Sequence, residues 1–386
     1  MRRVAIGQLR PGMKVARTVH ASDGRVLLNT GVELKASYIS QLSRIGVPAV
    51  FVHDSEAPDV APPDLVTDQT RLQGVMAVKD MMTQVREQMD QELTGRRRPF
   101  PIDPTKTLST VRTLVDEVIR SRNIVASLNE VRTIDDYTFG HCVNVAILSV
   151  ATGLDLGYDV ARLRDLAVGA MLHDIGKARL PKEVLHKPGE LTPEELALVR
   201  RHSEFGFEFL KKMPEISLLS AHVALQHHER WGGDGYPRGL KGVEIHEYAR
   251  IVGVVDVFDA MISDRVYRKA HPTVEVLEMI SASGDFQFDH RVISAFLRNV
   301  APYPVGSYVK LNTGERAVVV HVDKGLAQRP RVRILAHPTG QIVTKPYEVD
   351  LASNHSLFVA KMLDENEIQN PSASVAKASG EDPSGE

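Results

Sequence analysis

From about residue 130 to about residue 300, apolar residues recur at helical spacing and β-branched alternating runs are scarce. Stop signals at Gly153, Pro181, Pro214 and Pro237 divide this block into helices of ordinary length. The class this predicts is mainly α, and whatever lies on either side must be smaller modules attached to that block. The flanks do change texture. Residues 1–54 alternate short apolar runs (VAIGQL, MKVARTV, RVLLN, PAVFV) with turns such as Ser22-Asp23-Gly24, and Tyr38 to Arg44 reads as a short helix, so a small α+β domain is expected. Residues 55–68 are rich in Pro and Asp and read as a linker. Over 69–124, connecting helices are expected. Val75, Val78, Met82, Val85 and Met89 make one stripe; Leu108, Val111, Val115, Val118 and Val125 make another. The first stripe spans little more than two heptads, which favours core packing over a coiled-coil homodimer. The Arg96-Arg97-Arg98 run reads as a solvated helix end. The helical block itself occupies 125–305. After Tyr303-Pro304, residues 306–352 read as a β-rich appendage with turns at Asn312-Thr313-Gly314 and Pro338-Thr339-Gly340. Ser, Pro, Gly, Glu and Asn dominate 364–386, where a disordered tail is expected.

Composition narrows the function classes. A formal net charge of -2 gives no basis for a nucleic-acid surface over the whole chain, so an anionic ligand must be held by a local cluster or by metal. No apolar run approaches the length of a membrane span, and the opening MRRVAIGQLRPGMKV lacks a long apolar core with a cleavage site. The lone cysteine, Cys142, excludes a disulfide within the chain and fits a reducing compartment, so the cytoplasm is the expected location.

Metal-ligand residue types recur through the helical block: His141, His173 with Asp174, His202, His227 with His228, and Asp256. A lone histidine in a helix most often bonds a backbone carbonyl, and that reading stands for His141 and His202 taken singly. His227-His228, inside the apolar run HVALQHHE, and Asp256, inside ARIVGVVDVFDAM, would be costly to bury without partners. Several imidazoles and two carboxylates on converging helices are what divalent metals require. In MLHDIGKAR, His173 and Asp174 place a nitrogen beside a carboxylate, and a carboxylate reaches two cations at once.

The order and spacing of these residues, with HHERWGGDGYP after the double histidine and DVFDAMISDRVYR at the end, resemble the HD-GYP family. That family is a branch of the HD-domain metal-dependent phosphohydrolases and hydrolyses cyclic di-GMP. The resemblance covers roughly residues 125 to 305, and VAIGQLRPGMKV is similar to the small domain often found ahead of such modules. It implies an HD-type helical bundle holding two divalent metal ions, iron or manganese. His141, His173, Asp174 and Asp256 would hold one ion; Asp174, His202, His227 and His228 would hold the other, with Asp174 as the bridge. A shared hydroxide would then stand in line with the phosphodiester phosphorus. Lys177, one turn past Asp174, would clamp a phosphate oxygen or assist the leaving 3′-oxygen. For the substrate, the resemblance implies Tyr236, presented by Gly235 and Pro237, against a guanine base or a phosphate, with Arg265 and Arg268 on the second phosphate. Asp259 would orient an arginine rather than bind metal.

The implied reaction opens cyclic di-GMP to pGpG and continues to GMP. Two alternatives stand beside it: a cyclic di-GMP receptor acting through protein contacts, for instance with a GGDEF-type cyclase, and a hydrolase of another cyclic nucleotide. Two positions depart from the family pattern. Gly232 stands where many members carry an acidic or amide residue, with Asp234 two places later. Tyr137 stands where some members carry a glutamate for a third metal, so a binuclear centre is expected.

Overall fold

The computed structural model describes residues 1–21, 24–93, 102–126, 137–187, 189–263 and 271–369. The N-terminal module comprises β1 (Arg2–Ala5), β2 (Val19–His20), β3 (Val26–Leu28), α1 (Ala36–Arg44) and β4 (Ala49–Val52). Two long helices follow, α2 (Asp68–Leu93) and α3 (Thr105–Arg120). The central block contains α4 (Tyr137–Asp155), α5 (Val160–Met171), α6 (Lys182–Leu185), α7 (Pro193–Arg200), α8 (His202–Leu210), α9 (Leu218–Gln226), α10 (Glu247–Ile262), α11 (Thr273–Ala282) and α12 (His290–Leu297). The chain then enters β5 (Tyr308–Leu311), β6 (Arg316–His321), β7 (Arg331–Ala336), β8 (Ile342–Asp350), β9 (Val359–Met362) and α13 (Glu365–Gln369). Among the described residues, no helix is long and apolar enough to cross a membrane.

α4 is apolar on nearly every side and is buried from Cys142 through Ala151, so it becomes the axis about which the other helices pack. α2, α3, α5, α10 and α12 all lie against it. Gly153, expected to stop this helix, lies inside it, where the Leu163 and Leu166 side chains of α5 occupy the space a Cβ would need. Local signals fix where the neighbouring helices begin. Asp159 accepts the Arg162 N–H at 2.9 Å to start α5, and Thr192 with Glu195 forms a capping box at α7.

The pair α2 and α3 is more than a connection. Val78, Met81, Met82 and Val85 of α2 and Val111, Leu114, Val115 and Val118 of α3 are buried in the same core as α4 and α5. The α2 stripe is thus turned inward, onto the bundle. The span expected to be a linker is also packed. Ala57 and Val60 join the core of the C-terminal sheet, while Leu65 and Val66 join that of the bundle. Its carboxylates are paired as well: Glu56 takes two hydrogen bonds from Arg316 at 2.8 and 2.9 Å, and Asp59 two from Arg333 at 2.7 and 2.8 Å. High Pro and Asp content hides such a strap, because its anchors are a few apolar side chains and ion pairs with residues far along the chain.

The C-terminal sheet is antiparallel in the order β8-β7-β6-β5-β9. β9 lies past the expected end of the appendage, and α13 falls within the span expected to be a tail. Glu365 of α13 is buried and ion-paired with Arg2, a partner nothing in the local sequence reveals. Ser22-Asp23, Arg96-Arg97-Arg98 and residues 370–386 lie outside the described residues.

Candidate metal centre

α4, α8 and α10, together with the chain just past the ends of α5 and α9, bring His141, His173, Asp174, His202, His227, His228 and Asp256 into one buried cluster. Their ligand atoms fall into two groups within binding reach, His141 with His173 and Asp174, and His202 with His227 and His228. Asp174 lies between them. Its Oδ2 is 3.4 Å from His173 Nε2, and its Oδ1 is 3.4 Å from His202 Nε2 and 3.9 Å from His227 Nε2. Asp256 faces both groups, with Oδ1 3.0 Å from His141 Nε2 and Oδ2 3.9 Å from His228 Nδ1.

Backbone carbonyls determine what three of the imidazoles can do. His173 Nδ1 lies 2.7 Å from the Ala170 carbonyl, His202 Nδ1 2.7 Å from that of Val199, and His227 Nδ1 3.0 Å from those of Val223 and Ala224. A carbonyl only accepts, so each Nδ1 carries the proton and each Nε2 is left with its lone pair directed into the cluster. His202 Nε2 and His227 Nε2 are 3.3 Å apart, two lone pairs facing each other. His173 Nε2 and Asp174 Oδ1 are buried without any hydrogen-bond partner. Buried polar atoms left this way are unfavourable unless something completes them, and divalent cations held by the two groups would do so.

Electrostatics agree with that reading. Burial pushes the pKa of His202 and His227 down, and that of His228 down to about 3, so all three are neutral imidazoles at ordinary pH. Burial works against ionisation of Asp174 and Asp256, but Lys177 beside the first and the His141 hydrogen bond to the second outweigh it and lower both pKa values. His141 differs. Burial lowers its pKa, yet hydrogen bonds to Asp256 and Asp259 overcome this and raise it to about 9.

Asp259, expected to orient an arginine, belongs to a buried network that reaches α4 and α2. Fully buried, it lies 2.7 Å from His141 Nδ1 and accepts from Asn144 Nδ2 at 2.9 Å, and Asn144 in turn accepts from Arg71 of α2 at 2.7 Å. Sequence reasoning missed Asn144 and Arg71 because the link between α2 and α4 exists only once those helices are packed. A carboxylate behind a metal-ligating imidazole fixes its ring and raises its basicity. Asp259→Ala should therefore weaken metal affinity about 10–100-fold while leaving the helical content intact, measurable by titration against a competing chelator.

Lys177 Nζ lies 2.5 Å from Asp174 Oδ2, and its side chain is 31% exposed, so the ammonium bridges the buried cluster and solvent. Tyr236 stacks on His228, with ring centroids 4.7 Å apart and planes 26° apart, so one ring face is already engaged. The Arg200 guanidinium, another residue the motif does not flag, lies 5.2 Å from the same ring. A Cβ at Gly232 would lie 2.9 Å from the Phe286 carbonyl, and this close approach accounts for glycine at the first departure from the family pattern. Arg265 and Arg268 lie outside the described residues, as does the side chain of Tyr137.

Residues 120–292 match the family described as HD domain. The chain contains an HD domain. The His173-Asp174 pair and the Gly235-Tyr236-Pro237 sequence both lie within the matched span. Behind the HD domain, residues 308–371 match a family described as KOW domain associated with HD domain, which corresponds to the C-terminal sheet with α13. A cyclic di-GMP phosphodiesterase of Pseudomonas aeruginosa is 38% identical over 242 residues, covering 62% of this chain and 58% of that protein. A cyclic di-GMP phosphodiesterase of Thermotoga maritima is 39% identical over 176 residues, covering 45% of this chain and 47% of that protein. A 3′3′-cGAMP-specific phosphodiesterase of Vibrio cholerae is 33% identical over 190 residues, covering 49% of this chain and 43% of that protein. The chain thus spans about half the length of these curated relatives, and the HD domain is the larger of the matched families.

Proposed function

We propose that the protein is a metal-dependent phosphodiesterase that hydrolyses cyclic di-GMP to pGpG, and pGpG onward to GMP. The observation that carries this reading is the set of Nε2 lone pairs and the orphaned Asp174 Oδ1 facing one another in a buried cluster, within a domain whose relatives bear the names of cyclic di-GMP phosphodiesterases.

The residues fit two divalent cations, iron or manganese. His141, His173, Asp174 and Asp256 would hold one, Asp174, His202, His227 and His228 the other. Bound there, such ions supply Lewis-acid charge to phosphoryl oxygens and lower the pKa of water. The chain supplies the remainder. His173, His202 and His227 are preoriented by their carbonyl bonds, and burial keeps His202 and His227 neutral, so little rearrangement is needed for these rings to take up metal. Lys177 is a protonated donor at the edge of the cluster, because Asp174 outweighs the effect of its burial, and it is assigned to hold a phosphate oxygen. Tyr236, whose hydroxyl burial keeps protonated, is assigned to donate to the substrate from the loop side. Arg265 and Arg268 are assigned to the second phosphate on the strength of the motif alone.

Lys177→Ala should keep its metal and lower kcat about 10–100-fold, which elemental analysis alongside steady-state rates would check. The function itself is tested by incubating protein prepared without oxygen, and loaded with metal, with cyclic di-GMP and following the nucleotides by chromatography. Appearance of pGpG and then GMP is expected. Tight binding without product would instead favour a receptor. Because one relative is named for 3′3′-cGAMP, the rates on the two cyclic dinucleotides should be compared side by side, and a faster rate on the hybrid would reassign the substrate.

A further inference from the structure

Glu229 follows the double histidine, and the chemistry proposed above makes no use of it. It is 5% exposed, and its two oxygens each accept a backbone N–H from the loop beyond: Oε1 from Arg238 at 2.8 Å and Oε2 from Leu240 at 2.9 Å. Among the described residues, no lysine or arginine is ion-paired with it. A buried carboxylate is unfavourable unless hydrogen-bonded, and bonds from N–H to an ionised acceptor are about twice as strong as neutral ones. The loop's backbone is therefore what stabilises this charge, and the charge in turn holds the loop.

Tyr236 sits just before those contacts. Its own N–H donates to the His228 carbonyl at 3.2 Å, and its ring lies on the His228 imidazole. The loop cannot shift inward, since a Cβ at Gly235 would already meet Arg230 N, Glu229 Cα and the His228 carbonyl at 2.4 to 2.6 Å. Loss of the Glu229 contacts would free it outward.

We propose that Glu229 is a positioning residue that latches the 232–240 loop, keeping Tyr236 stacked on His228 beside the candidate ligands, and that it thereby sets substrate affinity rather than metal binding. When the latch is removed, the loop occupies its binding-competent form only part of the time, and the apparent dissociation constant rises by the inverse of that fraction. Once substrate has closed the loop the chemistry is unchanged, so the loss falls on KM and spares kcat.

The test uses the full chain with Glu229→Gln, which keeps the size and one acceptor oxygen, and Glu229→Ala. Trp231 is the sole tryptophan and lies at the base of the loop, its N–H bonded to the Gln287 carbonyl and its carbonyl to the Gly242 N–H, each at 3.0 Å, so its fluorescence reports the loop without turnover. Both variants should carry wild-type metal per chain. In Glu229→Ala, acrylamide quenching of Trp231 should rise about twofold and KM for cyclic di-GMP about tenfold, with kcat within about threefold, and Glu229→Gln should fall between. Adding Tyr236→Ala to Glu229→Ala should raise KM by less than the two single effects combined. The KM arm rests on the phosphodiesterase reading; the metal and quenching arms do not, and they decide the latch even if the wild type proves inactive on cyclic dinucleotides. If Glu229→Ala does not fold, Glu229→Gln carries the same readouts. Wild-type quenching in both variants, metal loss in step with activity, or a fall in kcat at constant KM would overturn the proposal.

Discussion

Asp174→Ala is expected to abolish binding of both metal ions and to lower turnover by about three orders of magnitude or more, while the protein stays folded. Asp174 is 1% exposed, and its two oxygens face the two histidine groups separately, so one truncation removes a ligand from each. Its Oδ1 has no hydrogen-bond partner, and its Oδ2 pairs with Lys177, whose side chain is 31% exposed and can turn to solvent once the carboxylate is gone, so the fold should survive the truncation. Melting temperatures with and without Mn²⁺ would separate these effects. Wild-type protein should be stabilised by the ion through binding linkage, and the variant should show no such rise. A variant that still bound metal and turned over at the wild-type rate would contradict the role assigned to Asp174.

Gly176→Ala should be the most disruptive single-methyl change in the domain. A Cβ there would lie 1.9 Å from the His202 carbonyl and 2.6 Å from Gly206 N, both backbone atoms of α8, so no rotamer change relieves the clash. α8 must move away from the turn over Ile175–Arg179, and His202, its first residue, must leave Asp174 with it. A loss on the order of 3 kcal/mol or more in unfolding free energy is expected, along with weakened metal binding. Urea unfolding and elemental analysis would check both effects. Gly7→Ala, where nothing lies within 4 Å of the added methyl, serves as the control and should be near neutral.

The candidate ligands were legible in the sequence because histidines and aspartates inside apolar helical runs have few inexpensive explanations, and because their order and spacing follow a family pattern. The residues that support them were not legible. Asp259 could be placed one turn beyond Asp256, but its partners His141 and Asn144 lie on α4, and the phase between α4 and α10 is set by packing. Glu229 and Gly176 act through backbone atoms of chain that returns later, and no local pattern encodes such an approach. The same limit explains the larger differences in fold. The apolar stripes of α2 and α3 showed that these helices bury one face, but not against what. In 55–68 and 365–369, few apolar residues and many polar ones looked like solvated chain until Arg316, Arg333 and Arg2 supplied their partners.

The most direct test of the central claim is the metal content of protein purified without oxygen, paired with its rate on cyclic di-GMP before and after treatment with a chelator. About two equivalents of iron or manganese per chain are expected, with hydrolysis lost on chelation and restored by adding either ion back. Protein that carries no transition metal and takes none up, or that hydrolyses cyclic di-GMP equally well in excess chelator, would contradict it.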